Sequence, residues 1–204
     1  MSRTVNLGDP RAQRSREAIL RAAQDIADHR DSTFSIAEVI RRSGISKSTF
    51  YLHFADLDDL CFHLLEASLT TINADDVRAR TRHDDPRAVT WAGHARVVDH
   101  LLQRRSLYLE LISTSARARV RERFTHLIAD LLHHSMAATA AAPERSQIRV
   151  SALYVASGFT TVVTEWLDGR LHLDRDELVE ALVGLAPPWF RDEGGTEDYP
   201  SDRG

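Results

Sequence analysis

Residues 35–60 read SIAEVIRRSGISKSTFYLHFADLDDL, and the order of residues in this stretch predicts how the N-terminal part of the chain folds. Ser35 is followed three residues later by Glu38, a spacing typical of a capping box at the start of a helix. The helix predicted there runs from Ile36 to Arg42. Gly44 lies just beyond it and suits the left-handed conformation at which helices commonly end.

A second short helix follows after a tight turn. Ser46 predicts the N-cap of a helix from Lys47 to His53. Two short helices joined at Gly44 and Ile45 are typical of a helix-turn-helix. Six apolar side chains would form its small core, namely Ile36, Val39, Ile40, Ile45, Phe50 and Phe54.

The second of these helices is too short and too polar to serve mainly for burial. Its N-terminal N–H groups can bind phosphates, and its Ser and Thr hydroxyls can reach base edges in the major groove. Tyr51 could instead be a core residue, and Ser48 and Thr49 could be ordinary helix surface. The residues that we expect to contact DNA are Ser35, Ser46, Lys47, Ser48, Thr49, Tyr51 and His53.

The rest of the chain repeats apolar residues at helical spacing and shows no convincing strand pattern. Pro10 to His29 predicts the first helix, and Leu57 to Ile72, capped by Asp56, predicts one continuous fourth helix. Further helices are predicted from Pro86 to about Leu102, Ser106 to Ser113, Arg117 to about Thr139, Pro143 to Asp168, and Asp174 to about Leu185, with Pro187 and Pro188 closing the last. The sequence therefore predicts an all-α protein of about nine helices.

We expect three parts along the chain: a DNA-binding head at residues 10–55, a helical dimerisation and ligand-binding domain at residues 56–190, and a disordered acidic tail at residues 191–204. The net charge is −4, so any attraction to nucleic acid must be local. From Arg11 to Phe54 there are eight basic residues against five acidic ones. This balance permits DNA binding without requiring it.

Composition also restricts location and chemistry. The single cysteine, Cys61, fits a reducing cytoplasm, and no apolar run approaches the roughly 20 residues that span a bilayer. We therefore expect a cytoplasmic protein with no membrane partner. A Gly-rich phosphate loop and a G-x-S-x-G motif are both missing, and no cofactor or enzymatic activity is expected.

The stretch from Ser35 to Leu60 resembles the tetracycline-repressor (TetR-like) family, and the likeness is close over about residues 14 to 66. The family signature is carried by Gly44, Ile45, Ser46, Tyr51 and Phe54, with Leu60 in the following helix. The resemblance implies a transcriptional regulator, by family default a repressor, that binds palindromic operator DNA and is released by a small, largely apolar effector.

Two positions depart from the family pattern. Ile40 stands where many members have a small residue, which could widen the helix crossing. Leu57, followed by Asp58 and Asp59, stands where members often carry a lysine at the head of the fourth helix. The loss of that phosphate contact favours an alternative, a helical ligand- or metal-binding sensor with weak or lost DNA binding.

A homodimer is expected through the last two long helices, because both carry apolar residues on more than one side. Aromatic residues beyond the head could belong to the core or to the dimer interface, and the resemblance implies that some line an effector pocket. The candidates for that pocket are Trp91, His94, Tyr108, Phe124, Tyr154 and Phe159, with Thr160 or Thr161 as further polar anchors. His126, Asp130, His133 and His134 share one side of a helix, where a solvated face is a simpler reading than a metal site.

Overall fold

The structure, a computed structural model, describes residues 10–28, 34–105, 107–108 and 118–192. Within those residues it is all-α and without strands, which confirms the predicted fold class. Its helices are α1 (Pro10–Ala27), α2 (Ile36–Ser43), α3 (Lys47–His53), α4 (Leu57–Thr81), α5 (Pro86–Gln103), α6 (Ala118–Ala137), α7 (Arg145–Leu167), α8 (Arg175–Gly184) and α9 (Pro188–Arg191). None of these described helices is both long and apolar enough to cross a membrane.

Most predicted helix ends are confirmed, since they depend on neighbouring residues. The Asp56 carboxylate accepts the N–H of Asp59 at 2.8 Å, and Asp174 and Glu177 form a complete capping box at α8. The box predicted at α2 is only half formed. Ser35 accepts the N–H of Glu38 at 3.3 Å, but the Glu38 carboxylate binds arginines of α2 instead of returning to the Ser35 backbone.

Several boundaries differ from prediction, and the fourth helix, predicted to end at Ile72, continues to Thr81. The helix predicted from Pro143 begins at Arg145, with Glu144 as its N-cap. Pro188 does not close the chain's last helix but opens α9, because the first helical position needs no N–H group. Of the helix predicted from Ser106 to Ser113, only residues 107–108 are described and these are helical. His29 and residues 193–204 of the predicted tail lie outside the described residues.

The chain divides into two compact units, one from residues 1–68 and 100–124, the other from residues 69–99 and 125–204. The first unit holds the predicted helix-turn-helix core. Val39, Phe50 and Phe54 are buried there with Ile19 and Ile26 of α1. Ile36, Ile40, Ile45 and Leu57 are partly buried against the same cluster.

The second unit has its own apolar cluster, built from helices far apart in the sequence. Met136 of α6 is buried with Ile148 and Ala152 of α7, and with Phe190 of α9. Leu178, Val179, Leu182 and Val183 of α8 are buried as well. The boundary that we predicted at residues 55 and 56 stays a prediction.

Candidate nucleic-acid interface and effector cavity

The turn between α2 and α3 is set by two residues. Gly44 has φ 68°, a conformation that costs a residue with a Cβ about 1–2 kcal/mol, and its N–H donates to the Ile40 carbonyl at 3.0 Å. Ser46 accepts the N–H of Thr49 at 3.1 Å and so caps α3. This fixes where α3 begins and therefore which of its side chains face away from the head core.

The outer surface of α3 is polar at its start and aromatic at its centre. Lys47, Ser48 and Tyr51 are exposed, as predicted, while Phe50 between them is fully buried. Tyr51 packs edge-to-face on Phe50, with ring centroids 5.3 Å apart. The Tyr51 ring is thus anchored at one side and open to a partner at the other.

A hydroxyl cluster lies at the N-terminus of α3. The Ser46 hydroxyl is 2.9 Å from that of Ser48 and 2.8 Å from that of Thr49. Ser46 has one proton and two lone pairs, and these two contacts together with its cap bond leave it saturated. Ser48 and Thr49 therefore retain hydrogen-bonding capacity for an external partner, although Thr49 is only partly exposed.

His53 and Ser35 are less accessible than the prediction implied. His53 is partly buried, and its Nδ1 has no hydrogen-bond partner among the described residues. Burial, together with the nearby Arg16 charge, lowers the pKa of His53, so that its ring is neutral near pH 7. Ser35 is partly buried as the cap of α2. His53 therefore adds no charge to the α3 surface, and Ser35 serves as a helix cap.

Sequence reasoning missed two arginines on α2. Arg41 donates to both Glu38 carboxylate oxygens, at 2.7 and 2.5 Å, and Arg42 donates to one of them at 2.7 Å. The hydrogen bonds from Arg41, then those from Arg42, lower the pKa of Glu38 to about 2. The spacing of Glu38 to the arginines, three and four residues, is the signal that could have revealed this ion pair network.

The departures at the start of α4 have structural reasons. Leu57 packs against the head core, so a partly buried apolar side chain stands where the family pattern has a surface lysine. The Asp59 carboxylate accepts the N–H of Ala55 at 3.2 Å and lies 3.7 Å from Arg123. Ile40 also packs against the head core. Leu57, Asp59 and Ile40 therefore stabilise the first unit.

The second unit contains a partly open cavity of about 90 Å³. Its walls come from α4, α5, α6, α7 and α9, and most of its surface is apolar. Of the six side chains predicted for the effector pocket, His94 and Phe159 line it. Thr160 is buried beside Phe159 in sequence but is not part of the wall.

The other four candidates lie elsewhere. Tyr154 is 80% exposed on α7, and Trp91 is exposed with the Arg175 guanidinium 5.4 Å from its ring. Tyr108 and Phe124 are buried in the first unit, where their rings meet edge-to-face at 5.7 Å. The structure does not bring these four side chains to the cavity. The sequence could not predict this, because helical spacing does not show which neighbouring helices a side chain will meet.

A charged pair that we did not predict lies in the cavity wall. Arg80 donates to Asp76 at 2.9 Å, to Thr90 at 2.9 Å and to the Phe190 carbonyl at 2.9 Å. The Phe190 ring lies 3.8 Å from the guanidinium carbon. The bond to Phe190 joins α4 to α9 within the second unit.

The candidate metal face on α6 does not assemble. The Asp130 carboxylate is bound to Arg149 at 2.6 Å, and the Asp130 carbonyl accepts from His134 Nδ1 at 2.6 Å. The residues that the structure describes contain no cluster of three or more metal-ligating side chains. The solvated-face interpretation fits these contacts better.

Comparison with known proteins gives one family match and several structural likenesses. Residues 91–187 match the family model TetR_C_8, the C-terminal region of a transcriptional regulator. The TetR family repressor AlkX of Dietzia sp. strain DQ12-45-1b, implicated in biodegradation of n-alkanes, superposes with a TM-score of 0.63 at 17% identity, over 85% of this chain and 94% of that one. No curated protein matches the chain.

Two weaker likenesses accompany these. The fatty acid degradation regulator FadR of Bacillus halodurans gives a TM-score of 0.47 at 16% identity, covering 85% of this chain and 92% of that chain. The dihydroxyacetone kinase operon activator DhaS gives 0.48 at 12% identity, covering 87% and 96%. The C-terminal part of the chain is thus similar to that of a transcriptional regulator, and the fold is similar to that of AlkX. Both the matched region and the likeness to AlkX therefore point to a resemblance to TetR-like regulators.

Proposed function

We propose that the chain is a repressor that binds palindromic operator DNA as a homodimer and is released by a small, largely apolar effector. The observation that carries the proposal is the surface of α3. Lys47, Ser48 and Tyr51 project from a short helix whose inner side chain, Phe50, is fully buried in the head core. A recognition helix needs this combination of a rigid base and an open polar face.

The contacts divide into two kinds. Lys47 and Tyr51 are suited to phosphates, which position the protein without reading sequence. Ser48 and Thr49 are suited to base edges, because their hydroxyls keep capacity beyond the bonds to Ser46. The neutral ring of His53 fits a supporting position at the end of α3 rather than a charge contact.

Two substitutions test this division. Lys47→Ala should weaken binding to all duplexes and lower the slope of affinity against salt by about one unit. Thr49→Ala should relax the preference at a few base pairs and leave the salt slope unchanged. Fluorescence anisotropy titrations over a salt series measure both quantities. Unchanged operator affinity in both variants would show that α3 is not the recognition helix.

The dimer is proposed from surface that each protomer leaves uncovered. The sequence argument, that apolar residues lie on more than one side of the helix, does not hold for α8, because its four apolar residues are all buried within one chain. Exposed apolar side chains remain at Val150 and Tyr154 of α7 and at Leu185 beyond α8. Two heads on one dimer would occupy both half-sites of a palindrome.

The introduction of a charge on the exposed face tests the dimer. Tyr154→Glu should convert the protein to monomers by placing two carboxylates in the proposed interface, while Glu144→Gln, outside that face, should not. Light scattering at micromolar concentration reports the mass. A monomer for the wild-type protein would contradict the proposal.

Regulation is proposed to act through α4. This helix gives Leu60 and Leu64 to the head core, and Ile72 and Asp76 to the cavity wall. A ligand that favours one position of α4 would change the distance between the two heads of a dimer. Such coupling is reciprocal, so operator DNA should lower the affinity for the ligand by the same factor by which the ligand lowers the affinity for DNA. Equal ligand affinity with and without saturating operator would refute this mechanism.

The alternative is a helical ligand-binding sensor with weak or lost DNA binding. The observation in its favour is that Leu57 packs into the head core, so α4 begins without the lysine that many relatives use on phosphate. A gel-shift series with the DNA upstream of the coding region separates the two. Binding that disappears at moderate salt with no sequence preference would favour the sensor.

A further inference from the structure

The cavity of the second unit has apolar walls with one polar strip. Ile72, Ile128 and Phe159 are among the apolar side chains, and a ligand would have to match both kinds of surface. The polar strip contains Asn73, Asp76, Arg80, Thr90, His94 and Ser135. What each of these groups already binds decides what chemistry remains for a ligand.

The charged groups of the strip are already paired with one another. Arg80 is bound to Asp76, to Thr90 and to the Phe190 carbonyl, and one face of its guanidinium is covered by the Phe190 ring. A ligand carboxylate would therefore meet no unpaired cation. It would also approach the Asp76 carboxylate, and burial of such an ion without a partner is unfavourable.

Two neutral groups retain hydrogen-bonding capacity. His94 Nδ1 lies 2.8 Å from the Thr90 carbonyl, which only accepts, so Nδ1 carries the proton. Nε2 is then an acceptor, and it has no hydrogen-bond partner among the described residues. Asn73 accepts the Ser135 hydroxyl through Oδ1 at 2.8 Å, which leaves its side-chain N–H groups as donors.

Burial favours the neutral form of the His94 ring, in which Nε2 is an acceptor. It lowers the pKa of His94, and the nearby Arg80 charge acts in the same direction. The hydrogen bond to Thr90 and the Asp76 carboxylate oppose that shift without reversing it. The ring is therefore neutral near pH 7, and Nε2 offers a lone pair to a donor.

From this inventory we infer that the cavity binds an uncharged alcohol, whose hydroxyl donates to His94 Nε2 and accepts from the Asn73 amide. The apolar body would pack against Ile72, Ile128 and Phe159. This inference rests on the proposed function, because it names the chemical class of the effector. A hydroxyl is the smallest group that supplies one donor and one acceptor without charge.

The volume restricts the body of the alcohol. A cavity of about 150 Å³ admits benzene, and this one, of about 90 Å³, is smaller but open on one side, so the end of a short chain can extend out of it. We therefore choose 1-butanol as the probe. 1-Fluorobutane has the same shape and lacks the donor, and butanoate carries a negative charge.

Isoleucine methyl NMR of the full-length protein localises the binding. At pH 7, 1-butanol should shift the methyl signals of Ile72 and Ile128 in the cavity wall and leave those of Ile19 and Ile26 in the head core in place. Its dissociation constant should be about fivefold to tenfold lower than that of 1-fluorobutane, since one hydrogen bond is lost. Butanoate should give no shift at the same concentrations.

Substitution of His94 tests the acceptor itself. His94→Phe should lower the affinity for 1-butanol by about fivefold to tenfold and leave the affinity for 1-fluorobutane unchanged. His94→Gln, whose amide oxygen accepts a hydrogen bond, should restore part of the lost affinity. Equal affinities of the three probes for the wild-type protein, or no shift with any of them, would overturn the inference. Unchanged butanol affinity in His94→Phe would also overturn it.

The same samples separate the ligand class from the regulatory proposal. If 1-butanol binds as described and operator affinity does not change, the ligand class stands and the release mechanism fails. If operator affinity responds only to molecules that lack a hydroxyl, the mechanism stands and the ligand class fails.

Discussion

Removal of the Asp76 carboxylate would leave a cation inside the second unit. The side chains of Arg80 and Asp76 are 2% and 9% exposed, so Arg80 in Asp76→Ala would keep only Thr90 and the Phe190 carbonyl as partners. Breaking a buried pair in this way costs about 3–5 kcal/mol. At about 2–3 kcal/mol per molar urea, the unfolding midpoint should fall by about 1–2.5 M.

Two controls show whether burial is the cause. Asp130→Ala removes a carboxylate from the Arg149 pair, whose side chains are 42% and 58% exposed, and should cost less than about 1 kcal/mol. Asp76→Leu combined with Arg80→Met removes both buried charges and should recover most of the lost stability. Urea unfolding at one fixed protein concentration measures all of these. An equal cost for Asp76→Ala and Asp130→Ala would refute the reasoning.

Three further predictions concern single positions. Gly44→Ala places a Cβ at φ 68° and should destabilise the protein by about 1–2 kcal/mol in thermal melts, with Gly44→Asn losing less. Gly93→Ala should destabilise the protein by about 1–3 kcal/mol, because its Cβ would lie 3.0 Å from an Asp76 oxygen that Arg80 holds in place. The pKa of Glu38 is depressed, so its ion pairs stabilise the fold above the ordinary carboxyl range and are lost as pH falls toward about 2. Carboxyl NMR titration of Glu38 should show a midpoint at about 2. A midpoint near 4.5 would contradict the ion pair network.

The head was predictable from the sequence because local residues determine it. Gly44 and Ser46 set the turn within a few positions, and Phe50 and Phe54 share one helix face. The half-formed box at Ser35 shows the limit of such reasoning. The Glu38 carboxylate had two competing partners one helical turn away, and the arginines bind it more strongly than a neutral N–H does.

The cavity could not be predicted, because its groups come from distant parts of the chain. Asp76 and Arg80 stand four residues apart, a spacing usually found on solvated helix surfaces. Only the fold brings Phe190, 110 residues away, onto the Arg80 guanidinium. Most of the aromatic candidates lie away from the cavity for a related reason. Tyr154 and Phe159 belong to one helix, yet Tyr154 is exposed and Phe159 is buried.

Sequence-specific binding to duplex DNA is the central claim. The most direct test is an anisotropy titration with two labelled duplexes of equal length, one from the DNA upstream of the coding region and one with the same bases shuffled, at about 50 and 150 mM salt. The proposed function predicts a preference of at least about 1,000-fold for the upstream duplex at the higher salt. Equal affinities for the two duplexes at both salt concentrations would contradict it.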